Sequence, residues 1–234
     1  MARFLTAEWR SLVMLNYPVD PALLLPLVPR GTVLDEFAGK TYVSAVGFMF
    51  LDTKVAGVPV PFHRNFEELN LRFYVRRPHA DGDRRGVVFL RELVPRRAIA
   101  WIARTFYNEQ YLAVPMDHRL ALSSGGGSAE YRYRSTKAWH ALSLETRGTA
   151  RKAVDGSLEE FITEHYWGYV SQRDGGTLEY QVEHPSWNIF QAAKASFDCS
   201  PETYGGRFAD ALVTPSSAFL ADGSPIVVHR GTRI

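Results

Sequence analysis

The chain has 234 residues, of which 46% are hydrophobic and 22% are charged, and these proportions are ordinary for a globular protein. The formal net charge of +2 is too small to indicate a nucleic-acid partner. Cys199 is the single cysteine, which excludes an intrachain disulfide bond. No stretch approaches the ~20 apolar residues of a membrane span, and the N-terminus lacks the apolar core of a signal peptide. We therefore expect a cytoplasmic protein with no membrane partner.

The first elements in chain order are a strand predicted over Arg10–Tyr17 and a short helix that follows it. Asp20 is a residue type preferred at a helix N-cap, and Pro21 suits the first helical position. Pro29–Gly31 predicts an early end to the helix, because proline and glycine interrupt it. Two strands are predicted next, over Val33–Phe37 and Thr41–Leu51, joined by a turn at Ala38–Lys40.

Two further strands, over His63–Val75 and Val87–Val94, carry the strongest functional signal. Side chains alternate between the two faces of a strand, so Glu68, Asn70 and Arg72 share one face and the intervening leucines share the other. The second strand places a charged pair inside an apolar run. Charged groups at core positions cost free energy unless they are paired, so these strands are the best candidates for a functional interior.

The remaining sequence alternates short strands with turn signals. A helix is predicted over Ala98–Tyr107, Ser157 begins a capping-box pattern, and hairpins are predicted across Asp174–Gly176 and Asp222–Ser224. Ser123–Ser128 is expected to be a loop tip between two strands. Many short strands with few helical crossovers predict a mostly β (α+β) fold, a twisted and largely antiparallel barrel or sandwich with a few short helices.

Several stretches resemble the YqjF-like family of uncharacterised bacterial proteins, which belongs to the acetoacetate decarboxylase-like superfamily. These stretches are Phe4–Arg10, Leu15–Asp20, Pro29–Thr32, Val43–Phe48, Phe66–Arg72, Arg91–Pro95, Tyr107–Glu109 and Val182–Trp187. The resemblance covers nearly the full length and implies one domain over residues 1–234. It also implies a cone-like β-barrel flanked by helices, with a small-molecule pocket inside, and a homo-oligomer.

The decarboxylases of this superfamily form an imine between a lysine and a keto acid, and this chain departs from their pattern. In the segment Glu109–His118, Met116 and Asp117 stand where the two lysines of the decarboxylases would be. The nearest lysine in sequence is Lys137. The departure predicts a decarboxylase-like protein without the catalytic lysine pair, and therefore without imine chemistry.

Arg72 and Glu68 are the first candidates for a site, with Asn70 between them on the same face of the strand. The guanidinium of Arg72 suits a ligand carboxylate, and Glu68 can hold an acid or base beside it. The resemblance also implies that Glu68 matches a glutamate that faces the pocket in the decarboxylases. The alternative is a structural ion pair that fills the interior.

Arg91 and Glu92 are adjacent, so a regular strand directs them to opposite faces and only one of them faces inward. Glu92 is a candidate acid or base and Arg91 a candidate ligand-binding residue; the alternative is a structural pair at the strand end. His63 is a candidate base at a loop-to-strand junction or a surface histidine. Glu109 is a candidate pocket carboxylate or a solvated residue. The histidines show no metal-ligand spacing, so we predict no metal and no cofactor.

Two functions follow from these residues. The first is an enzyme that acts on a small organic acid or carbonyl compound inside the barrel, with Arg72 as anchor and Glu68 or Glu92 as acid or base. The second is a non-catalytic protein that binds or senses a small ligand on the same scaffold. Turnover distinguishes the two functions, since both predict affinity.

Overall fold

β-Strands dominate the residues that the computed structural model of the protein describes, which are 2–59, 63–96, 108, 110–204 and 206–234. The strands are β1 (Arg3–Val19), β2 (Val33–Leu34), β3 (Thr41–Val55), β4 (Val58–Pro59), β5 (Phe66–Arg77), β6 (Arg84–Val94), β7 (Tyr111–Ala113), β8 (Met116–Ser123), β9 (Gly126–Arg134), β10 (Trp139–Arg147), β11 (Arg151–Lys152), β12 (Trp167–Ser171), β13 (Thr177–Glu183), β14 (Asn188–Phe197), β15 (Ser217–His229) and β16 (Thr232–Arg233). The helices are α1 (Pro21–Leu24), α2 (Leu158–Thr163) and α3 (Pro201–Tyr204), with 3-10 turns at Leu25–Leu27 and Gly206–Phe208. The predicted class, mostly β with a few short helices, is confirmed.

The strand pairings return to their starting point. Their order is β13, β12, β6, β5, β3, β1 and β15, and β15 pairs again with β13. We call these strands the seven-strand ring. Its pairings are antiparallel except for the short parallel contact between β6 and β12. A ring of this kind has an inner and an outer face, so alternate residues of each strand point to different environments.

Each face of the ring has its own buried cluster. β14, β10, β9 and β8 continue the sheet from β15, and side chains of β9 and β10 join the first cluster together with α3. Gly47 of β3 permits this packing, since a Cβ there would lie 2.8 Å from Cδ2 of Tyr131. The second cluster contains Phe48, Phe66 and Trp187, and Phe161 and Ile162 of α2 pack into it. This second cluster surrounds the candidate site.

Two helix starts form as the sequence predicts. The side chain of Asp20 accepts a hydrogen bond from the amide of Ala22 at 2.8 Å. The hydroxyl of Ser157 accepts from the amide of Glu160 at 3.2 Å, while the Glu160 carboxylate accepts from the amide of Gly156 at 2.6 Å. The side chains of Asp20 and Ser157 each satisfy an amide group that the first helical turn leaves without a partner.

The predicted hairpin across Asp222–Ser224 is wrong, because these residues lie within the continuous strand β15. Gly223 has a φ of +82° and pairs with Arg10 of β1. A Cβ at this position would lie 2.0 Å from the carbonyl oxygen of Trp9, so the glycine serves a close approach between two strands and not a turn. The helix predicted over Ala98–Tyr107 lies outside the described residues. None of the described helices has the length and apolar character needed to cross a membrane.

Candidate functional site

A cavity of about 170 Å³ lies against the second buried cluster. Strands β1, β3, β5, β6, β12 and β13 all contribute to its lining. Most of the lining is apolar and aromatic, and includes Trp9, Phe48, Phe50, Phe66, Phe89 and Trp187. An apolar, concave lining with a few polar groups is the usual character of a small-molecule site.

β5 delivers three of the predicted polar residues to this cavity. Glu68, Asn70 and Arg72 all line it, as expected for residues two apart on one face of a strand. Glu68 and Asn70 are 2% and 1% exposed, so both are removed from bulk water. The intervening Leu69 and Leu71 pack in the first cluster on the opposite face.

Glu68 is a carboxyl group whose pKa is shifted towards neutrality. Burial raises the pKa of Glu68 to about 7. Hydrogen bonds and the charge of Arg72 oppose this shift. Nδ2 of Asn70 donates to Oε1, and the hydroxyl of Tyr111 donates to Oε2, each at 3.0 Å. A group with this pKa exchanges protons readily at neutral pH.

Arg72 is the cation of the cavity. Its Nη2 donates to the carbonyl of Ile162 over a long 3.5 Å, and its guanidinium carbon lies 5.7 Å from the centroid of the Tyr74 ring. Its Nε is buried and has no hydrogen-bond partner among the described residues. Among the residues that the structure describes, no carboxylate forms a salt bridge with Arg72. The charge of the guanidinium acts on Glu68 without forming a salt bridge, so the guanidinium is placed to form one with an anionic ligand.

A bulge in β6 decides between Arg91 and Glu92. Arg91 pairs with Leu71 whereas Phe89 pairs with Arg72, so Leu90 is an extra residue in the β6 strand. The extra residue places Phe89 and Glu92 together in the cavity lining. Glu92 is 2% exposed. Arg91 is not among the lining residues, so its predicted contact with a ligand has no support from the cavity and we leave it out of the candidate site.

His165, which sequence reasoning did not select, also lines the cavity. Its Nε2 lies 3.1 Å from Oδ2 of Asp35, and Nε of Arg85 donates to the same oxygen at 2.7 Å. Its ring contacts Tyr74 and Phe161, with centroid distances of 4.7 and 5.0 Å. Burial lowers the pKa of His165 to about 4, so the imidazole is neutral at physiological pH. Asp35 is 130 residues away in sequence, and no local pattern connects the two.

The other sequence candidates have different outcomes. His63 lines the cavity and is half-buried. Glu109 lies outside the described residues. His184 was also missed: it lines the cavity and stacks on Trp187 with a centroid distance of 4.2 Å. Within the described ranges, no group of three or more His, Cys, Asp or Glu side chains is arranged to hold a metal ion.

No lysine reaches the cavity. All five lysines are described and exposed; they are Lys40, Lys54, Lys137, Lys152 and Lys194. Asp117, which stands where the resemblance places a catalytic lysine, lies on β8 and forms a bidentate pair with Arg132 at 2.6 and 2.5 Å. The cavity thus offers carboxyl, guanidinium and imidazole groups and no amine nucleophile from a side chain.

Residues 6–225 match a family described as an uncharacterized conserved protein, DUF2071. The chain belongs to this family. It is also 29% identical over 203 residues to the uncharacterized protein YqjF of Bacillus subtilis (strain 168), a match that covers 83% of this chain and 78% of YqjF. The resemblance found in the sequence is thereby confirmed.

Solved structures share the fold of this chain at low sequence identity. The enduracididine biosynthesis enzyme MppR, with HEPES buffer bound, superimposes with a TM-score of 0.72 at 10% identity, covering 100% of this chain and 88% of MppR. Acetoacetate decarboxylase from Legionella pneumophila superimposes with a TM-score of 0.71 at 11% identity, covering 100% of this chain and 88% of the decarboxylase. At these identities the likeness establishes the fold alone.

Proposed function

We propose that the cavity binds a small organic acid or carbonyl compound, with Arg72 as the anchor for a carboxylate and Glu68 as acid or base. The observation that carries this proposal is that two groups line the same cavity. One is the half-buried guanidinium of Arg72, which has no ion-pair partner among the described residues, and the other is the buried carboxyl group of Glu68, whose pKa is raised. No lysine imine takes part. The proposal treats residues 1–234 as one domain.

The electrostatics of Arg72 support an anionic ligand. Desolvating a cation is costly unless an opposite charge or hydrogen bonds compensate it. A ligand carboxylate supplies both, because two of its oxygens match the fork of the guanidinium. MppR, which has the same fold, has been solved in complex with pyruvate, and this makes a small acid a reasonable first probe.

The chemistry assigned to Glu68 is proton transfer. A carboxyl with a pKa of about 7 is close to half-protonated at neutral pH, which suits both donation and abstraction of a proton. Glu92 pairs with Asn70 across the β5–β6 ladder and supplies a second buried carboxyl in the same cavity. We assign Asn70 to positioning the carboxyl group of Glu68. We assign His63 to the part of the lining that contacts the ligand.

The second candidate is a non-catalytic binding or sensing protein with the same anchor. The exposure of all five lysines favours it, because the decarboxylase-like mechanism has lost its nucleophile while the cavity is retained. Both functions predict binding through Arg72, so binding is tested first and turnover second.

Binding is tested by thermal shift with small carboxylates and aldehydes on wild type, Arg72→Gln and Arg76→Gln. Arg76 lies on the same strand, pairs with Asp83 and is outside the cavity lining, so it is a matched control for the loss of one charge. A ligand at 100 times its Kd adds ~2.7 kcal/mol to the free energy of unfolding. A carboxylate that stabilises wild type and Arg76→Gln but not Arg72→Gln supports the proposal. Equal shifts in all three proteins contradict it.

Turnover is tested with each ligand that binds, by following exchange of its C–H protons with deuterium from D2O by NMR. Glu68→Gln retains the shape of the side chain and removes the titrating proton. Exchange in wild type that is lost in Glu68→Gln supports an enzyme with Glu68 as acid or base. Binding without exchange or product supports the non-catalytic function.

A further inference from the structure

The polar groups of the cavity offer hydrogen-bond acceptors as well as a cation. Asp35 is not part of the cavity lining, and its Oδ2 forms a hydrogen bond with Nε2 of His165. Since the Asp35 carboxylate accepts a hydrogen bond from Nε2–H, the lone pair of the neutral ring is on Nδ1. Nδ1 is buried and has no hydrogen-bond partner among the described residues. It is therefore an acceptor that requires a donor.

Asn70 supplies a second acceptor of the same kind. Its Nδ2 donates to Glu68, while its Oδ1 is buried and unpartnered within the described residues. Leaving a buried acceptor without a donor costs free energy, so a ligand that brings an N–H or O–H group gains affinity. A ligand that offers only further acceptors gains nothing at these two atoms.

We propose that the cavity selects small hydroxy acids, with Arg72 binding the carboxylate and Nδ1 of His165 accepting a hydrogen bond from the hydroxyl group. This inference rests on the proposed function and adds to it the substrate class and a specificity-determining residue. Asn70 is placed to accept from a second hydroxyl where the ligand has one.

The charges around His165 favour a hydroxyl donor over an ammonium group. Two cations, Arg85 and Arg72, act on His165, and both oppose a further positive charge on the ring. Asp35 is the anion in contact with the ring among the described residues, and Arg85 already pairs with it. The rings of Tyr74 and Phe161, which also contact His165, carry no charge. A neutral O–H group therefore suits Nδ1 better than a cationic donor.

The size of the cavity restricts the ligand to a few non-hydrogen atoms. An apolar cavity of about 150 Å³ holds benzene, whereas sites for drug-sized ligands measure about 300–1,000 Å³. The cavity of about 170 Å³ is close to the smaller value. A three-carbon hydroxy acid such as lactate has the same number of non-hydrogen atoms as benzene.

The test compares three-carbon acids that differ at one position: propionate, pyruvate, D- and L-lactate, and alanine. Affinities are measured by isothermal titration calorimetry on the full chain. We expect one lactate enantiomer to bind wild type about tenfold more tightly than propionate or pyruvate, the value of one good hydrogen bond. If none of these acids binds but other carboxylates stabilise the protein through Arg72, this inference is overturned and the proposed function stands; if no carboxylate or aldehyde binds in either assay, the proposed function fails. If acids bind with equal affinity, or alanine binds most tightly, this inference is overturned while the proposed function stands.

His165→Phe tests the acceptor, because the ring contacts with Tyr74 and Phe161 are retained and both nitrogens are removed. The variant is expected to bind lactate and propionate with equal affinity. His140→Phe is the matched control, since His140 is partly buried and stacks on Tyr133 outside the cavity lining. A lactate preference that survives in His165→Phe overturns the assignment to His165.

A measurement on wild type covers the case in which His165→Phe does not fold. Two-bond 1H–15N spectra identify imidazole rings protonated on Nε2 and report the Nδ1 resonance of each. Lactate, and not propionate, is expected to shift one such Nδ1 resonance upfield as it accepts a hydrogen bond. No shift of any Nδ1 resonance with saturating lactate overturns the assignment.

Discussion

The hydroxyl of Tyr111 donates a hydrogen bond to Oε2 of Glu68 at 3.0 Å and thereby connects β7 to β5 across the intervening β6. This bond stabilises the charged form of a carboxyl that burial drives towards the neutral form. The pKa of Glu68 is therefore set by burial, which raises it, and by the donors Asn70 and Tyr111 and the charge of Arg72, which lower it.

Tyr111→Phe is expected to raise the pKa of Glu68 above its value of about 7, by about one unit. The cause is the loss of a donor that favours the carboxylate. The measurement is an NMR titration of the 13C-labelled glutamate carboxyl groups. Tyr42→Phe is the control, since Tyr42 is a buried tyrosine outside the cavity lining. An unchanged titration in Tyr111→Phe would contradict the hydrogen bond.

Glu68→Gln is expected to stabilise the protein at pH 8 and to have little effect at pH 4. The folded pKa of about 7 lies above the ordinary 4.5, so the folded state binds the proton more tightly than the unfolded state. Stability from Glu68 is then present at low pH and is lost as the pH rises from 4.5 to 7. Urea unfolding should show a difference of up to ~3 kcal/mol at pH 8. Glu145→Gln, at an exposed site, should show none.

His165→Phe is expected to show the opposite dependence on pH. The folded pKa of about 4 lies below the ordinary 6.5, so the unfolded state binds the proton more tightly and stability is lost as the pH falls from 6.5 to 4. Relative to the variant, wild type should lose up to ~3 kcal/mol of unfolding free energy over this range. Urea unfolding of both proteins at pH 7 and pH 4.5 measures it. If the difference in unfolding free energy between wild type and His165→Phe is the same at both pH values, the imidazole of His165 is not held neutral by burial.

Gly168→Ala is expected to destabilise the protein by about 1–3 kcal/mol and to weaken ligand binding. Gly168 lines the cavity and pairs with Tyr180, and a Cβ there would lie 2.1 Å from Cζ of the Tyr180 ring. The ring must move, and it is itself part of the lining. Gly206→Ala is the control, because a Cβ at Gly206 meets nothing within 4 Å. Thermal unfolding of the two variants measures the loss of stability, and equal stability of Gly168→Ala and Gly206→Ala would contradict the prediction.

Borohydride reduction in the presence of pyruvate is expected to leave the intact mass of the protein unchanged. All five lysines are exposed, so none has the desolvated environment that lowers an amine pKa for imine formation. Intact-mass spectrometry measures the outcome. A single adduct, lost on substitution of one lysine, would overturn the exclusion of imine chemistry.

The face of β5 that lines the cavity could be predicted from the sequence, because the alternation of a strand is a local rule. Glu68, Asn70 and Arg72 needed only to be two residues apart in an extended segment. The choice between Arg91 and Glu92 could not be predicted in the same way. It depends on the extra residue Leu90, which shifts the register of β6 against β5.

The terminal hairpin was predicted wrongly for a related reason. Asp222–Ser224 has the composition of a turn, but Gly223 lies against the carbonyl of Trp9 within a long strand pair. Turn residues indicate backbone freedom, and only the partner strand determines whether that freedom is used for a turn or for a close approach.

Composition and alternation determined the mostly β class and the polar face of β5, and the sequence has Met116 and Asp117 where the resemblance implies a lysine pair. These features depend on residues that are close together in the chain. The tertiary structure alone decided that Asp35 holds His165 from 130 residues away and that Glu92, not Arg91, joins Glu68. Such relations depend on how the ring of strands pairs and where it bulges, and these are long-range properties that no local pattern contains.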